Sequence, residues 1–242
     1  MTWIKEFSDI SGNHILDFRF RVEDDFNSTG FIATSNLFGI TKSTKEMLCT
    51  HIAFLFTIFF FASAEFLENH TFQPPFQEVD ASGTRVVNSQ WRQSGTTVVN
   101  NNFIRLTPDR QSKKGALWSR KAVGVPDFST VLKFRISGQG KNFFGDGIAL
   151  WLVQQGYYVE GDIHGFEEKF VGVGIVFDTF RNTENLANHR DVTVLINDGT
   201  KTYEMMTKDV IGCNTNVRYH ADRADFSVLD ASRAKIVVSD KT

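Results

Sequence analysis

Two short stretches carry side chains whose types and spacing suit the binding of a hard cation or a hydroxyl-rich ligand. Asp178-Thr179-Phe180-Arg181-Asn182 follows the apolar run Val173 to Phe177. In an extended segment, residues 178, 180 and 182 point the same way. One carboxylate, one backbone carbonyl and one amide oxygen on one side are hard oxygen donors of the kind calcium takes, but they make at most half of a coordination shell. Asp209, in Thr207-Lys208-Asp209, adds a second carboxylate if the segment Val192 to Met205 folds back beside this loop as a hairpin. The plainer alternative is that Asp178 only caps a turn. The second stretch is Gly145-Asp146-Gly147, leading into Ile148-Ala149-Leu150-Trp151. An Asp between two glycines is either a turn residue or a carboxylate that a ligand can approach closely.

These loops need a scaffold, and the pattern around them is that of strands. Val131-Leu132-Lys133-Phe134-Arg135-Ile136 alternates cleanly, with Leu132, Phe134 and Ile136 on one face. Phe103 to Leu106, Ala116 to Trp118 and Ala234 to Val238 are further short apolar runs. Gly147 to Val153 and Val171 to Phe177 are denser in apolar residues, as expected of central strands covered on both faces. Val192 to Ile196, the turn signal Asn197-Asp198-Gly199 and Lys201 to Met205 read as a hairpin. No stretch gives a convincing amphipathic helix, and many short strands between turn signals argue an all-β sandwich of two antiparallel sheets. Trp118 and Trp151, inside strands, read as core residues rather than sugar-stacking platforms.

Composition narrows the function. A net charge of -2 with 22% charged residues gives no electrostatic footprint for nucleic acid. The chain lacks the nucleophile elbow, the zinc-protease helix motif and the phosphate loop. Glu160 and Asp162 lie two apart but beside glycines and tyrosines, where a solvated loop is the simpler reading; adjacent Glu167 and Glu168 would face opposite sides of a strand. No glycoside-hydrolase pair emerges, and the chain reads as a non-enzyme. Arg110, Lys113 and Lys114 read as a solvated turn, and His164 and His220 have no partner spacing for a metal site.

Part of the excess of phenylalanine, 24 residues in all, falls in Met47-Leu48-Cys49 to Ala62-Ser63-Ala64. Lys42 and Lys45 precede an apolar core from Ile52 to Phe61, and small residues stand at the cleavage positions, which is the layout of a secretory signal ending at Ala64. Residues 47–64 are therefore expected to be a signal peptide or anchor. Residues 1–46, of mixed charge and without clear periodicity, are expected to be an extension or gene-model artefact preceding a true start at Met47. The domain proper is residues 65–242, delivered to an oxidising, calcium-rich compartment, with a glycan acceptor at Asn69-His70-Thr71. Cys213, the one cysteine past the signal, is either half of a disulfide whose partner lies beyond residue 242 or a buried thiol. The chain stops straight after a strand, and a sandwich truncated at its C-terminus is expected.

Gly145 to Trp151 followed by Gly172-Val173-Gly174-Ile175-Val176-Phe177-Asp178-Thr179-Phe180-Arg181-Asn182 resembles the leguminous-type (L-type) lectin domain of ER–Golgi and vesicular cargo receptors. Ile104 to Pro108, Ser112 to Trp118 and Gly212-Cys213 support the resemblance, which covers the chain from about Phe72 onward. It implies a concanavalin-like sandwich (jelly roll) that binds high-mannose N-glycans with calcium, acting in ER-to-Golgi transport on the luminal side of the ER, intermediate compartment and Golgi. Asp178, the carbonyl of Phe180, Asn182 and Asp209 would hold calcium; Ser112, Asp146 and Asn182 would hydrogen-bond mannose, and the Gly145–Asp146 peptide would be cis. A membrane span would follow residue 242, and homo-oligomerisation is left open. The family's sugar-binding His, three residues before the last calcium ligand, is here Met206, which predicts weaker binding or a pH response resting on the calcium carboxylates. The alternative is a degenerate lectin-fold module with a structural or protein-interaction role and no sugar binding.

Overall fold

The structure is a computed structural model that describes residues 66–83, 85–87, 90–140, 145–180, 189–208, 211–219 and 232–241, together with two strands at residues 2–8 and 15–23. One compact unit comprises Met1–Asp25 and Asn69–Thr242; the other spans Phe26–Glu68, of which only residues 66–68 are described. The proposed signal, residues 47–64, lies outside the described residues.

Among the described residues of the first unit, the regular structure is almost wholly strand: β1 (Thr2–Ser8), β2 (Ile15–Glu23), β3 (Glu78–Val79), β4 (Arg85–Val86), β5 (Trp91–Gly95), β6 (Val98–Val99), β7 (Ile104–Arg105), β8 (Gly115–Ser119), β9 (Phe128–Phe134), β10 (Gly147–Val153), β11 (Glu160–Ile163), β12 (Val171–Asp178), β13 (Val192–Asp198), β14 (Ile211–Cys213) and β15 (Ser232–Lys241). Two antiparallel sheets dominate, ordered β1-β2-β15-β9 and β10-β12-β13-β14. The all-β sandwich expected from the alternating pattern is the fold observed. No helix among the described residues is long and apolar enough to cross a membrane.

The sheets meet through one face of each. Phe134 from β9 and Ala234, Ile236 and Val238 from β15 pack on Val173, Ile175 and Phe177 from β12 and Val192 from β13. The period-two pattern produces this: alternate residues of β9 are shielded, while Val131, one step out of phase, is exposed. The far face of the second sheet is also covered, as the apolar density of β10 and β12 requires. Val176 and Leu195 pack there with Phe166, Phe170 and Met206, and Trp118 and Trp151 join them. Both tryptophans lie within 5.0 Å of the Phe166 ring centre, which makes them core residues. Trp151 fits because its cross-strand neighbour is Gly174. A Cβ at Gly174 would sit 2.3 Å from the indole ring.

Three expectations are corrected. Lys201 to Met205 is not the second arm of a hairpin: Tyr203–Thr207 is a short helix (α1), with the Thr202 hydroxyl accepting from the Met205 amide, and β13 pairs with β14 instead. The N-cap and the helix-forming run Glu204-Met205-Met206 override the turn signal. Glu160 and Asp162 stand on β11 rather than in a loop, and Glu160 and Ile163 bridge to Phe166. Lys114 is not simply solvated: its ammonium donates to the Gly161 carbonyl at 2.8 Å and to Asp162 at 3.0 Å. Residues 2–8 and 15–23 form an antiparallel hairpin whose second strand pairs along β15.

Candidate functional site

The register of the second sheet brings the two polar stretches together. Gly147, the first residue of β10, lies opposite Asp178, the last of β12. The preceding Gly145-Asp146 turn and the following Thr179-Phe180 segment therefore leave the sheet side by side. Two hydrogen bonds join them, from the Thr179 amide (2.8 Å) and hydroxyl (2.9 Å) to the Asp146 carbonyl.

The flanking glycines are needed for this approach. A Cβ on Gly147 would stand 1.9 Å from the Phe177 carbonyl oxygen, and one on Gly145 would stand 2.8 Å from the Phe180 Cβ. The Gly145–Asp146 peptide is cis, as the resemblance implies.

Asp178 has a mixed environment. Its Oδ1 accepts the Phe180 amide at 2.8 Å, a local turn cap, and its own amide donates to the Asp191 carbonyl at 2.9 Å. Burial pushes its carboxyl above the usual carboxylate range and Asp146 adds to the rise, against the Phe180 amide, His164 and His189, which lower it. Asp191 backs this corner: one carboxylate oxygen meets His189 Nε2 at 3.2 Å and the other accepts the Thr215 amide at 2.7 Å.

A third segment pairs with the start of α1. His164 directly follows β11, and its Nε2 lies 3.3 Å from the Tyr203 hydroxyl at the start of α1. Burial lowers its pKa below 6.5, opposed by the charges of Asp178 and Asp146. Burial raises the Tyr203 phenol, and Asp178 raises it further. Tyr203 is held by its amide, which donates to Glu168 Oε1 at 2.7 Å. Sequence reading missed this pair because His164 and Tyr203 are 39 residues apart and no local spacing links them.

The remaining predicted site residues divide. Asn182 and Asp209 lie outside the described residues. Ser112, at a backbone φ of 55°, lines an open cavity of about 540 Å3 with Gly95, Thr96, Lys113, Lys114 and Glu160, and Asp146 and Asp178 are not part of that lining. Met206 is 8% exposed and packed into the far-face core, whereas Met205 is 61% exposed. Cys213 is half-buried on β14, and its thiol forms no disulfide among the described residues; burial raises its pKa, and Asp191 raises it further. No three His, Cys, Asp or Glu side chains among the described residues form a ready metal cluster.

Relatives of known structure share this geometry's scaffold. Residues 63–240 match the model of the legume-like lectin family. The mouse VIP36-like protein is 35% identical over 170 residues, covering 65% of this chain and 47% of that protein. Human vesicular integral-membrane protein VIP36 is 31% identical over 176 residues, 70% of this chain and 48% of that protein. The chain thus spans about half the length of these relatives. The crystal structure of the VIP36 exoplasmic/lumenal domain in its Ca2+/Man-bound form superposes with a TM-score of 0.56 at 23% identity, covering 73% of this chain and 89% of that one.

Proposed function

Because the chain belongs to the legume-like lectin family, we propose that it is a calcium-dependent lectin for high-mannose N-glycans, serving as the luminal domain of a cargo receptor in ER-to-Golgi transport. The observation that carries this reading is the junction of the Asp146 and Asp178 loops, tied by Thr179 and closed over two glycines. Such a junction holds a sugar-accessible carboxylate beside a cation-seeking one. VIP36, similar in sequence and crystallised with Ca2+ and mannose, supports the ligand class.

Among the described residues, Asp178 and the Phe180 carbonyl offer hard oxygen donors of the kind calcium takes. Asp178 is a hard oxygen donor whose carboxyl is held above the usual carboxylate range by burial, against the Phe180 amide, His164 and His189. A neighbouring cation removes that penalty. Asp178, the Phe180 carbonyl, Asn182 and Asp209 would hold the ion, whose positive charge would offset the burial of the Asp178 carboxylate. Asp146, Asn182 and Ser112 would then face the mannose hydroxyls.

A second reading, a lectin-fold module that binds no sugar, rests on the Asp178 turn cap and on Ser112 lining a cavity whose lining includes neither Asp146 nor Asp178. Retention on immobilised mannose separates the two. The lectin is held in calcium and released by a chelator, whereas the structural module passes through in both conditions.

A further inference from the structure

The outward face of the first sheet has a one-sided charge pattern. Ala234, Ile236 and Val238 of β15 and Phe134 of β9 point into the core, so the residues between them point out. On β9 these outward residues are Ser129, Val131, Lys133 and, just past the strand, Arg135; on β15 they are Arg233, Lys235, Val237 and Ser239. None is acidic. The register sets Arg233 directly opposite Lys133 and Lys235 opposite Val131, so the four cations form one cluster. Like charges directly opposite on paired strands work against the pairing. The chain as a whole carries a net charge of -2, so the cluster is a segregation of charge rather than a general basicity.

The neighbours do not cancel this charge. On the far side of β15, β2 adds none on balance, because Arg19 and Arg21 in its register are matched by Asp17 and Glu23. Lys133 and Lys235 are exposed and enter no ion pair among the described residues. The Arg135 guanidinium lies 5.8 Å from the centre of the Tyr219 ring, whose amide donates to the Ile136 carbonyl at 2.8 Å, and this holds it at the edge of the cluster. Val131, 59% exposed, and Val237 give the cations an apolar flank.

The spacing selects the kind of anion. Cations two residues apart on a strand repeat about every 6.6–6.8 Å, and alternate side chains of an extended peptide repeat at the same interval. Acidic residues at every second position of such a peptide therefore meet Lys133 and Arg135, or Arg233 and Lys235, in step. We propose that the outward face of β9 and β15 is a docking surface for an extended acidic segment of a partner protein. The inference is independent of the mannose reading, since these strands belong to the first sheet and the Asp146 and Asp178 loops leave the second.

The test uses the full chain and an end-capped, fluorescein-labelled peptide of four Glu-Thr repeats, followed by anisotropy. Saturable binding is expected, weakening at least about threefold when salt rises from about 50 to 300 mM. Lys133→Gln combined with Lys235→Gln is expected to weaken binding about three- to tenfold, since each exposed ion pair is worth little alone. Lys169→Gln combined with Arg105→Gln removes the same charge from exposed positions outside this face and is expected to bind as the wild type does. Lys133→Gln also relieves the like-charged pair with Arg233, so its melting temperature is expected to equal or exceed that of the wild type. A lower one overturns the inference, because Lys133 would then serve the domain's own surface. Absence of saturable binding by the wild type overturns it, as does an equal loss in the two double variants or wild-type affinity in the first. Tighter binding of a heparin hexasaccharide than of the peptide through the same two lysines overturns the choice of partner.

Discussion

Gly145 is the residue on which the site's close approach depends most visibly. The place of its absent side chain is taken by the root of Phe180, the residue whose carbonyl is proposed to hold calcium. Gly145→Ala would place a Cβ 2.8 Å from the Phe180 Cβ, and neither atom is the loose end of a flexible chain. The two loops must part, at a cost of about 1–3 kcal/mol as for other overpacked positions. Gly145→Ala is therefore expected to lower both thermal stability and calcium affinity. Gly156→Ala, whose Cβ would meet nothing within 4 Å, is expected to change stability by no more than ~0.5 kcal/mol. A calcium titration of the two variants monitored by thermal shift checks the contrast. At this scale the sequence was partly legible. Asp146 and Asp178 could be singled out because glycines and an apolar strand frame them. His164 and Tyr203 could not, since only the return of β11 and α1 to one corner makes them neighbours. Met206, which the resemblance sets where the family's sugar-binding His stands, is directed into the core by the helical turn at Tyr203–Thr207, which leaves Met205 outside.

The element that sets this turn is the end of β13. Asn197 read as a hairpin residue, yet it is fully buried and acts as a peptide-like bracket. Its amide nitrogen donates to the Glu168 and Lys201 carbonyls at 2.8 and 3.0 Å, and its oxygen accepts the Gly199 and Lys201 amides at 2.9 and 3.1 Å. One side chain thus closes the turn and anchors the segment that carries Glu168, whose carboxylate holds the Tyr203 amide. Asn197→Ala strands these groups in a dry interior and is expected to destabilise the domain by about 3 kcal/mol. Asn197→Asp, which lacks the donors, is expected to do no better. Urea unfolding curves measure both. Turn chemistry alone could not separate hairpin from helix here. Asn-Asp-Gly predicts reversal of the chain, while the helix after it depends on the Thr202 cap and on the covered face that receives Met206.

Across the whole molecule, the sandwich follows from alternation along β9 and from apolar density along β10 and β12, patterns that survive without any knowledge of partners. The hairpin of β1 and β2 was harder to read. Residues 1–46 read as lacking clear periodicity, which overlooked the alternation of Leu16-Asp17-Phe18-Arg19-Phe20-Arg21-Val22; its pairing with Ser232–Lys241 is long-range, and no local window contains both strands. The functional claim likewise depends on long-range assembly, because β10 and β12 must register Gly147 against Asp178 before the loops can cooperate. Calorimetric titration of methyl α-mannoside into the full chain, with and without calcium, for the wild type and for Asp178→Asn, tests this most directly. The account predicts saturable binding by the wild type only in calcium, and loss of at least tenfold in affinity (~1.4 kcal/mol) when Asp178 gives up its charge. Binding of equal strength in a chelator, or an Asp178→Asn variant that binds as the wild type does, would contradict it.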